Sequence, residues 1–146
     1  MTKPMELLKK IDHIGIAVAD LEQGLAVYRD QLGMKHERTE TVPGQKVRVA
    51  VLKVGGIHIE LLQATAEESP IAKFLARGGK GVHHICYRVD DMDEAIAYCQ
   101  RQGLQILEGS RRAGAGGAEV AFLHPRSSEG VLTELSTGIS SVCPSG

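Results

Sequence analysis

Apolar positions change their period several times along the chain, and each change marks an element. "KIDHIGIAV" (10–18) reads as a strand. Asp20 then stands as a helix N-cap with Gln23 at the capping-box position. Leu21, Leu25, Tyr28 and Leu32 give that helix an apolar stripe, and Gly33 stops it. "KVRVAVLKV" (46–54) alternates as a strand, Gly55-Gly56 turns the chain, and "IHIELLQ" (57–63) returns as its hairpin partner. Farther on, "HICYRV" (84–89) is again a strand, Asp91 and Glu94 repeat the cap, and Gly103 ends a second helix. "AEVAFLH" (118–124) and "GVLTELS" (130–136) are strands joined through His124-Pro125-Arg126. Between the two sets, "SPIAKFLARGG" reads as a linker helix with Ser69 as N-cap and Pro70 at its first position.

The two sets are one pattern written twice. Laid over each other at an offset of 71, residues 13–31 and 84–102 share His13/His84, Ile14/Ile85, Val18/Val89, Asp20/Asp91, Ala26/Ala97 and Gln31/Gln102. "GIHIELL" (56–62) then lies over "GVLTELS" (130–136), with Glu60 falling on Glu134. Two blocks in the same order point to an internal duplication. Each half reads β-α-β-β-β. The expected fold class is α+β: two tandem βαβββ modules in a single domain spanning 1–146. Module one covers about 10–63, the linker helix about 69–77 and module two about 81–137.

Strand parity sorts the adjacent histidines His83 and His84. Ile14, Ile16 and Val18 share a face suited to packing under a helix, and their repeat partners are Ile85, Tyr87 and Val89. His83 belongs to that register and reads as structural, whereas His84, like His13, points to the other face. Glu60 and Glu134 also oppose the faces that carry Ile57, Ile59 and Leu61 or Val131, Thr133 and Leu135. A single strand histidine is most often structural, and a mid-strand glutamate is often a solvated outer-face residue. Recurrence of the pair at matched positions favours the ligand reading. If the two sheets curve around one concave space, His13, Glu60, His84 and Glu134 converge there. Two imidazoles and two carboxylates suit Zn, Ni, Co, Mn or Fe(II).

Composition narrows the partners. Apolar residues make up 42% and charged residues 24%, with a net charge of −1, the balance of a soluble globular protein without a basic footprint for nucleic acid or anionic membrane. "MTKPMELLKK" has no apolar signal region, and no run approaches the ~18 residues that span a bilayer, so the expected location is cytoplasmic. Cys86, Cys99 and Cys143 have no C-x-x-C spacing and read as free thiols. With no tryptophan, three tyrosines and two phenylalanines, a base-stacking surface is not expected.

This layout resembles the vicinal oxygen chelate superfamily, whose members pair βαβββ modules in a curved mixed sheet around a divalent metal. More narrowly, "IDHIGIAVADLE", "IELLQ", "SPIAKFL", "GVHHICYRVDD" and "FLHPRSSEGVLTEL" resemble the methylmalonyl-CoA epimerase family. The resemblance implies metal ligands His13, Glu60, His84 and Glu134, with Co, Ni, Zn or Mn as the ion and an acyl-CoA thioester as substrate. It also implies α-proton removal and return through a metal-stabilised enolate, with Glu134 and, opposite it, Glu60 carrying the proton. Some family members place a proton-transferring glutamate where Val49 stands here, so the second carrier is Glu60 or another group. Lys73 and Arg126 are candidates for the CoA phosphates or the free carboxylate, as are Arg111 and Arg112. "AGAGG" (113–117) lacks the ending of a phosphate-binding loop and reads as a flexible hairpin tip, and the tail "SSVCPSG" as disordered. Two other readings use the same fold: a glyoxalase I-type lyase acting on a glutathione hemithioacetal, and a metal-free small-molecule binding protein. Exposed edge strands make a homodimer the expected assembly.

Overall fold

The computed structural model describes residues 6–113 and 118–138. Most of the "AGAGG" tip, the tail and Cys143 lie outside the described residues. A single eight-stranded sheet runs in the order β2-β3-β4-β1-β5-β8-β7-β6. The first half supplies β1 (Lys10–Ala17), β2 (Lys35–Val42), β3 (Val47–Val54) and β4 (Ile57–Ala64). The second supplies β5 (Gly81–Arg88), β6 (Arg112–Ala113), β7 (Glu119–Leu123) and β8 (Leu132–Ser136). In each half the first strand pairs in parallel with the last, β1 with β4 and β5 with β8. The halves meet where β1 and β5 pair antiparallel. The fold is mixed α+β, as the pattern predicts.

Helices cover both faces of the sheet. α1 (Leu21–Leu25) starts where the Asp20 carboxylate accepts from Gln23 N at 2.9 Å, and α3 (Met92–Arg101) starts on the same bond from Glu94 N to Asp91 at 2.8 Å. Leu21 and Leu25 pack against Ala50, Leu52, Ile59 and Leu61. Met92, Ala95 and Cys99 pack against Ala121, Leu123 and Leu135. The linker helix α2 (Pro70–Ala76), capped by Ser69, lies on the other face, where Ile71 joins Val47, Val49, Val51 and Leu62. Fully burying such a leucine is worth about 1.5–3 kcal/mol. Three such clusters therefore fix which face each helix takes. Among the described residues no helix is long and apolar enough to cross a membrane.

Two expectations change. The helix begun by α1 continues as a π turn over Ala26–Gln31, with Leu32 N bonded to Val27 O at 2.9 Å. The wider winding carries Leu32 off the apolar stripe, and it is 61% exposed, while Tyr28 and Met34 pack on the core instead. More consequential is the seam between β1 and β5. Pairing steps from Ile11↔Tyr87 to His13↔Cys86, leaving Asp12 as an extra residue on β1. It steps again from Gly15↔His84 to Ile16↔Val82, leaving His83 extra on β5. A bulge suspends the strict alternation of faces. His83 therefore does not join the helix-side register; it lines the same cavity as His84.

Replacing Asp91 with alanine should cost about 1 kcal/mol, the usual worth of such a cap. Urea denaturation should show a lower midpoint with an unchanged slope. An unchanged midpoint would mean that packing of Met92, Ala95 and Cys99 alone sets the start of α3.

Candidate active site

His13 and His84 come from the two central strands, Glu60 and Glu134 from the strands parallel to them. All four are buried. His13 Nε2 lies 3.1 Å from His84 Nε2, 3.3 Å from Glu134 Oε1 and 3.7 Å from Glu60 Oε1. His84 Nε2 is 3.5 Å from Glu134 Oε1, and the two imidazoles meet edge-on with centroids 5.2 Å apart. The four residues singled out by the repeat are thus brought together. Ligand atoms of His13, His84 and Glu134 all lie within 4.8 Å of one another.

The state of His13 is fixed from behind. Its Nδ1 is 2.8 Å from Asp12 Oδ2, and the other Asp12 oxygen accepts from the Arg88 guanidinium at 2.6 Å. Burial alone would raise the Asp12 carboxyl; hydrogen bonds from His13 and Arg88 outweigh it and hold the pKa below its ordinary value. An ionised carboxylate only accepts, so His13 donates from Nδ1, and Nε2 is the atom that would be offered to a metal. Nε2 faces two carboxylates. Burying so many acceptors together is costly unless a cation lies among them, and two nitrogens with two carboxylate oxygens are the donor set of a borderline divalent ion. The residues therefore fit a metal. Burial, then the neighbouring His13 and His83, keeps His84 well below its ordinary pKa and so available as a neutral ligand.

Asp12, His13 and Cys86 form a second close group of donors. It is less suited to an ion: Asp12 is committed to Arg88 and His13, and burial pushes the Cys86 thiol up to about 12, leaving it protonated.

Sequence reasoning passed over Gly15. A Cβ built there would stand 2.6 Å from Nδ1 and 2.9 Å from Nε2 of His84, so the imidazole lies flat against bare backbone. The available signal was a glycine inside a strand, which marks close approach. Asp12 was missed because parity assigns it to the face opposite His13.

Beside the quartet opens a cavity of about 330 Å³, with His83 and His84 in its wall. Val47, Leu62 and Ile71 line one side, and Phe122 and Arg112 the other, the guanidinium 5.9 Å from the Phe122 ring centre. Neither Lys73 nor Arg126 is among the lining residues. Lys73 is exposed on α2, and the backbone N–H of Arg126 donates to His124 Nδ1 at 3.0 Å in the turn before β8. Arg111 is held by Asp93 and Glu119, both at 2.8 Å. Val49 is fully buried on the concave side between Glu40 of β2 and Leu62 of β4.

Residues 12–122 match the model of the glyoxalase/bleomycin resistance protein/dioxygenase superfamily. The ethylmalonyl-CoA/methylmalonyl-CoA epimerase of Cereibacter sphaeroides is 38% identical over 131 residues, 88% of this chain and 98% of that protein. A solved methylmalonyl-CoA epimerase from Streptomyces coelicolor, in complex with 2-nitronate-propionyl-CoA, superposes with a TM-score of 0.80 at 40% identity, covering 91% of this chain and 99% of that one. A methylmalonyl-CoA epimerase in complex with methylmalonyl-CoA and NH4+ gives a TM-score of 0.80 at 40% identity, over 94% and 99%. The chain belongs to the glyoxalase/bleomycin resistance protein/dioxygenase superfamily and, within it, to the family of the methylmalonyl-CoA epimerases.

Gly15→Ala should displace the His84 ring and weaken divalent-ion binding by at least ~10-fold, the scale seen when a ligand's support is removed. Titration with zinc, alongside circular dichroism to confirm the fold, measures it. Wild-type affinity in a folded variant would show that the ring does not need its seat.

Proposed function

We propose that the chain interconverts the epimers of methylmalonyl-CoA by removing the α-proton and returning one on the opposite face. The observation that carries this reading is the pair Glu60 and Glu134, one from each half, both buried and both beside His13 Nε2. The reading is supported by the epimerase relatives and by neighbours whose complexes hold acyl-CoA compounds.

His13, His84, Glu60 and Glu134 would hold a divalent ion, Co, Ni, Zn or Mn. When bound, it supplies electrophilic stabilisation of the negative charge that develops as the substrate ionises. Asp12 and Arg88 hold His13 in the tautomer that leaves Nε2 open. One glutamate oxygen takes the α-proton; the C–H electron pair passes into the thioester, giving an enolate. The other glutamate, as the carboxylic acid, gives a proton to the opposite face of the planar carbon. A placed carboxylate contributes roughly 10²–10⁴-fold to such a transfer. Arg112, in the cavity wall, supplies a cation for the substrate's free carboxylate, and the apolar wall of Val47, Leu62 and Ile71 excludes water around it. Val49 has no proton to give, so Glu60 is assigned the second transfer. Lys73 and Arg126, both exposed, are the cations proposed for the phosphates of the CoA arm.

Chelation should abolish epimerisation, and added Co, Ni, Zn or Mn should restore it. A chelated protein that stays fully active and contains no metal would end the metal reading.

Glu134→Gln and Glu60→Gln should each still exchange the α-proton of one epimer with deuterated water while failing to interconvert the two. Their preferred epimers should be opposite, because glutamine keeps an oxygen but carries no proton. Deuterium uptake and stereochemistry, with metal content measured in parallel, test this. If Glu60→Gln epimerises at the wild-type rate, the second carrier is a different group.

A further inference from the structure

The walls of the cavity are divided by chemistry. Its charged lining residues, Glu108 and Arg112, both come from the connection that leads into β6. Across from them β3, β4 and α2 contribute Val47, Leu62, Pro70 and Ile71, together with the uncharged Gln45. His84, from the quartet, closes a third side. The α-carbon of a malonyl thioester likewise carries three heavy groups: the thioester, the free carboxylate and an alkyl group. In the enolate all three lie in one plane and point to the corners of a triangle. The proton leaves one face and returns to the other, so the alkyl group keeps its direction while the configuration inverts. With the thioester toward the quartet and the carboxylate toward Arg112, the apolar wall is left to the alkyl group. One pocket serves both epimers.

That wall is held rigid by the linker helix. Ile71 is the buried residue of α2, 3% exposed, and it both lines the cavity and packs in one cluster with Val47 and Leu62. A β-branched side chain in a helix keeps essentially one χ1 rotamer, so Ile71 has little freedom to swing aside. Both ends of α2 are fixed as well. Ser69 Oγ accepts from Ile71 N–H at 3.2 Å. At the other end Gly78 N–H donates to Leu75 O and Gly79 N–H to Phe74 O, each at 3.0 Å, the paired bonds of a Schellman end. A Cβ on Gly79 would stand 2.7 Å from the Phe74 ring and from its carbonyl oxygen, so the ring occupies the space that a side chain there would need. The helix is a fixed wall.

We propose that Ile71 is a specificity-determining residue: its side chain is the stop that sets the longest α-alkyl group the site accepts among 2-alkylmalonyl thioesters. A chain that reaches the stop must displace a close-packed, single-rotamer side chain on an anchored helix, and a packed wall does not yield a methylene without strain. Val47 and Leu62 form the strand side of the same pocket, and Ile71 closes it from the helix. The linker between the two halves thereby selects the substrate, while the strands carry the chemistry. The inference rests on the epimerase reading.

Racemic 2-alkylmalonyl-CoA thioesters bearing methyl, ethyl, propyl and butyl groups test this. Enzyme-dependent deuterium uptake at the α-carbon gives kcat/KM, and calorimetry gives the dissociation constants. In the wild type both should worsen by at least roughly tenfold at one step of the series, the worth of a methylene that a pocket cannot take. Ile71→Val, which removes one methyl group, should move that step to a longer chain, and Ile71→Ala should move it farther. If Ile71→Ala does not fold, Ile71→Val decides alone. Val42→Ala removes packing from the same cluster outside the cavity wall and should leave the step where the wild type has it. A wild type with no step up to butyl would overturn the inference. So would a step that stays in place for Ile71→Val in either measurement, or one that moves equally in Val42→Ala. A wild type that takes up deuterium with no member of the series would remove the epimerase reading itself.

Discussion

The antiparallel ladder between β1 and β5 is the contact on which the rest of the molecule depends. It joins the two halves into one sheet and sets His13 and His84 with their Nε2 atoms 3.1 Å apart. Because β4 and β8 pair in parallel outside these strands, Glu60 and Glu134 arrive from either side at the same point. The seam is also stapled by charge: Arg88 of β5 reaches Asp12 of β1 at 2.6 Å. Asp12 thus holds the halves together and sets the tautomer of His13. Loss of that carboxylate would strip the Arg88 guanidinium of its partner in the same stroke.

The fold was legible in the sequence because duplication doubles every signal. Caps at Asp20 and Asp91, stops at Gly33 and Gly103, and the His/Glu pairs each appear twice. Where the two copies must differ, or where geometry departs from regularity, the signal fades. Face assignment by alternation holds for Ile14, Ile16, Val89 and both glutamates, but not for Asp12 and His83, since a bulge has no residue signature of its own. Leu32 matched the helix period and was lost from the core to a π turn. Arg112 stood among four equivalent-looking cations; which of them faces the cavity depends on the path of a long connection that no local pattern determines.

The duplication is only partly symmetric, and its departures concentrate at the site. Asp12 and His83 are repeat partners, one an anion and the other a neutral ring, each bonded to the Nδ1 of the histidine that follows. Gly15 and Cys86 are partners as well: Gly15 makes room for one imidazole, and Cys86 lies across the seam from the other as a buried thiol. On the concave side, valines and Ile71 fill part of the first half, and the open space lies over His83, Phe122 and Arg112. A planar intermediate in that space would meet different surroundings on its two faces, although Glu60 and Glu134 occupy matched positions of the repeat.

The seam also acts as a ruler. Each extra residue, Asp12 on one strand and His83 on the other, offsets the register once, and the ladder resumes beyond it. Exchange of a side chain at these points changes chemistry locally. Removal of a residue would restore even alternation and turn the rest of the strand over, sending an imidazole to the helix side and an isoleucine to the cavity side. Among descendants of this chain, residues 11–16 and 82–86 should therefore vary in identity more readily than in length, with insertions and deletions confined to the loops on either side.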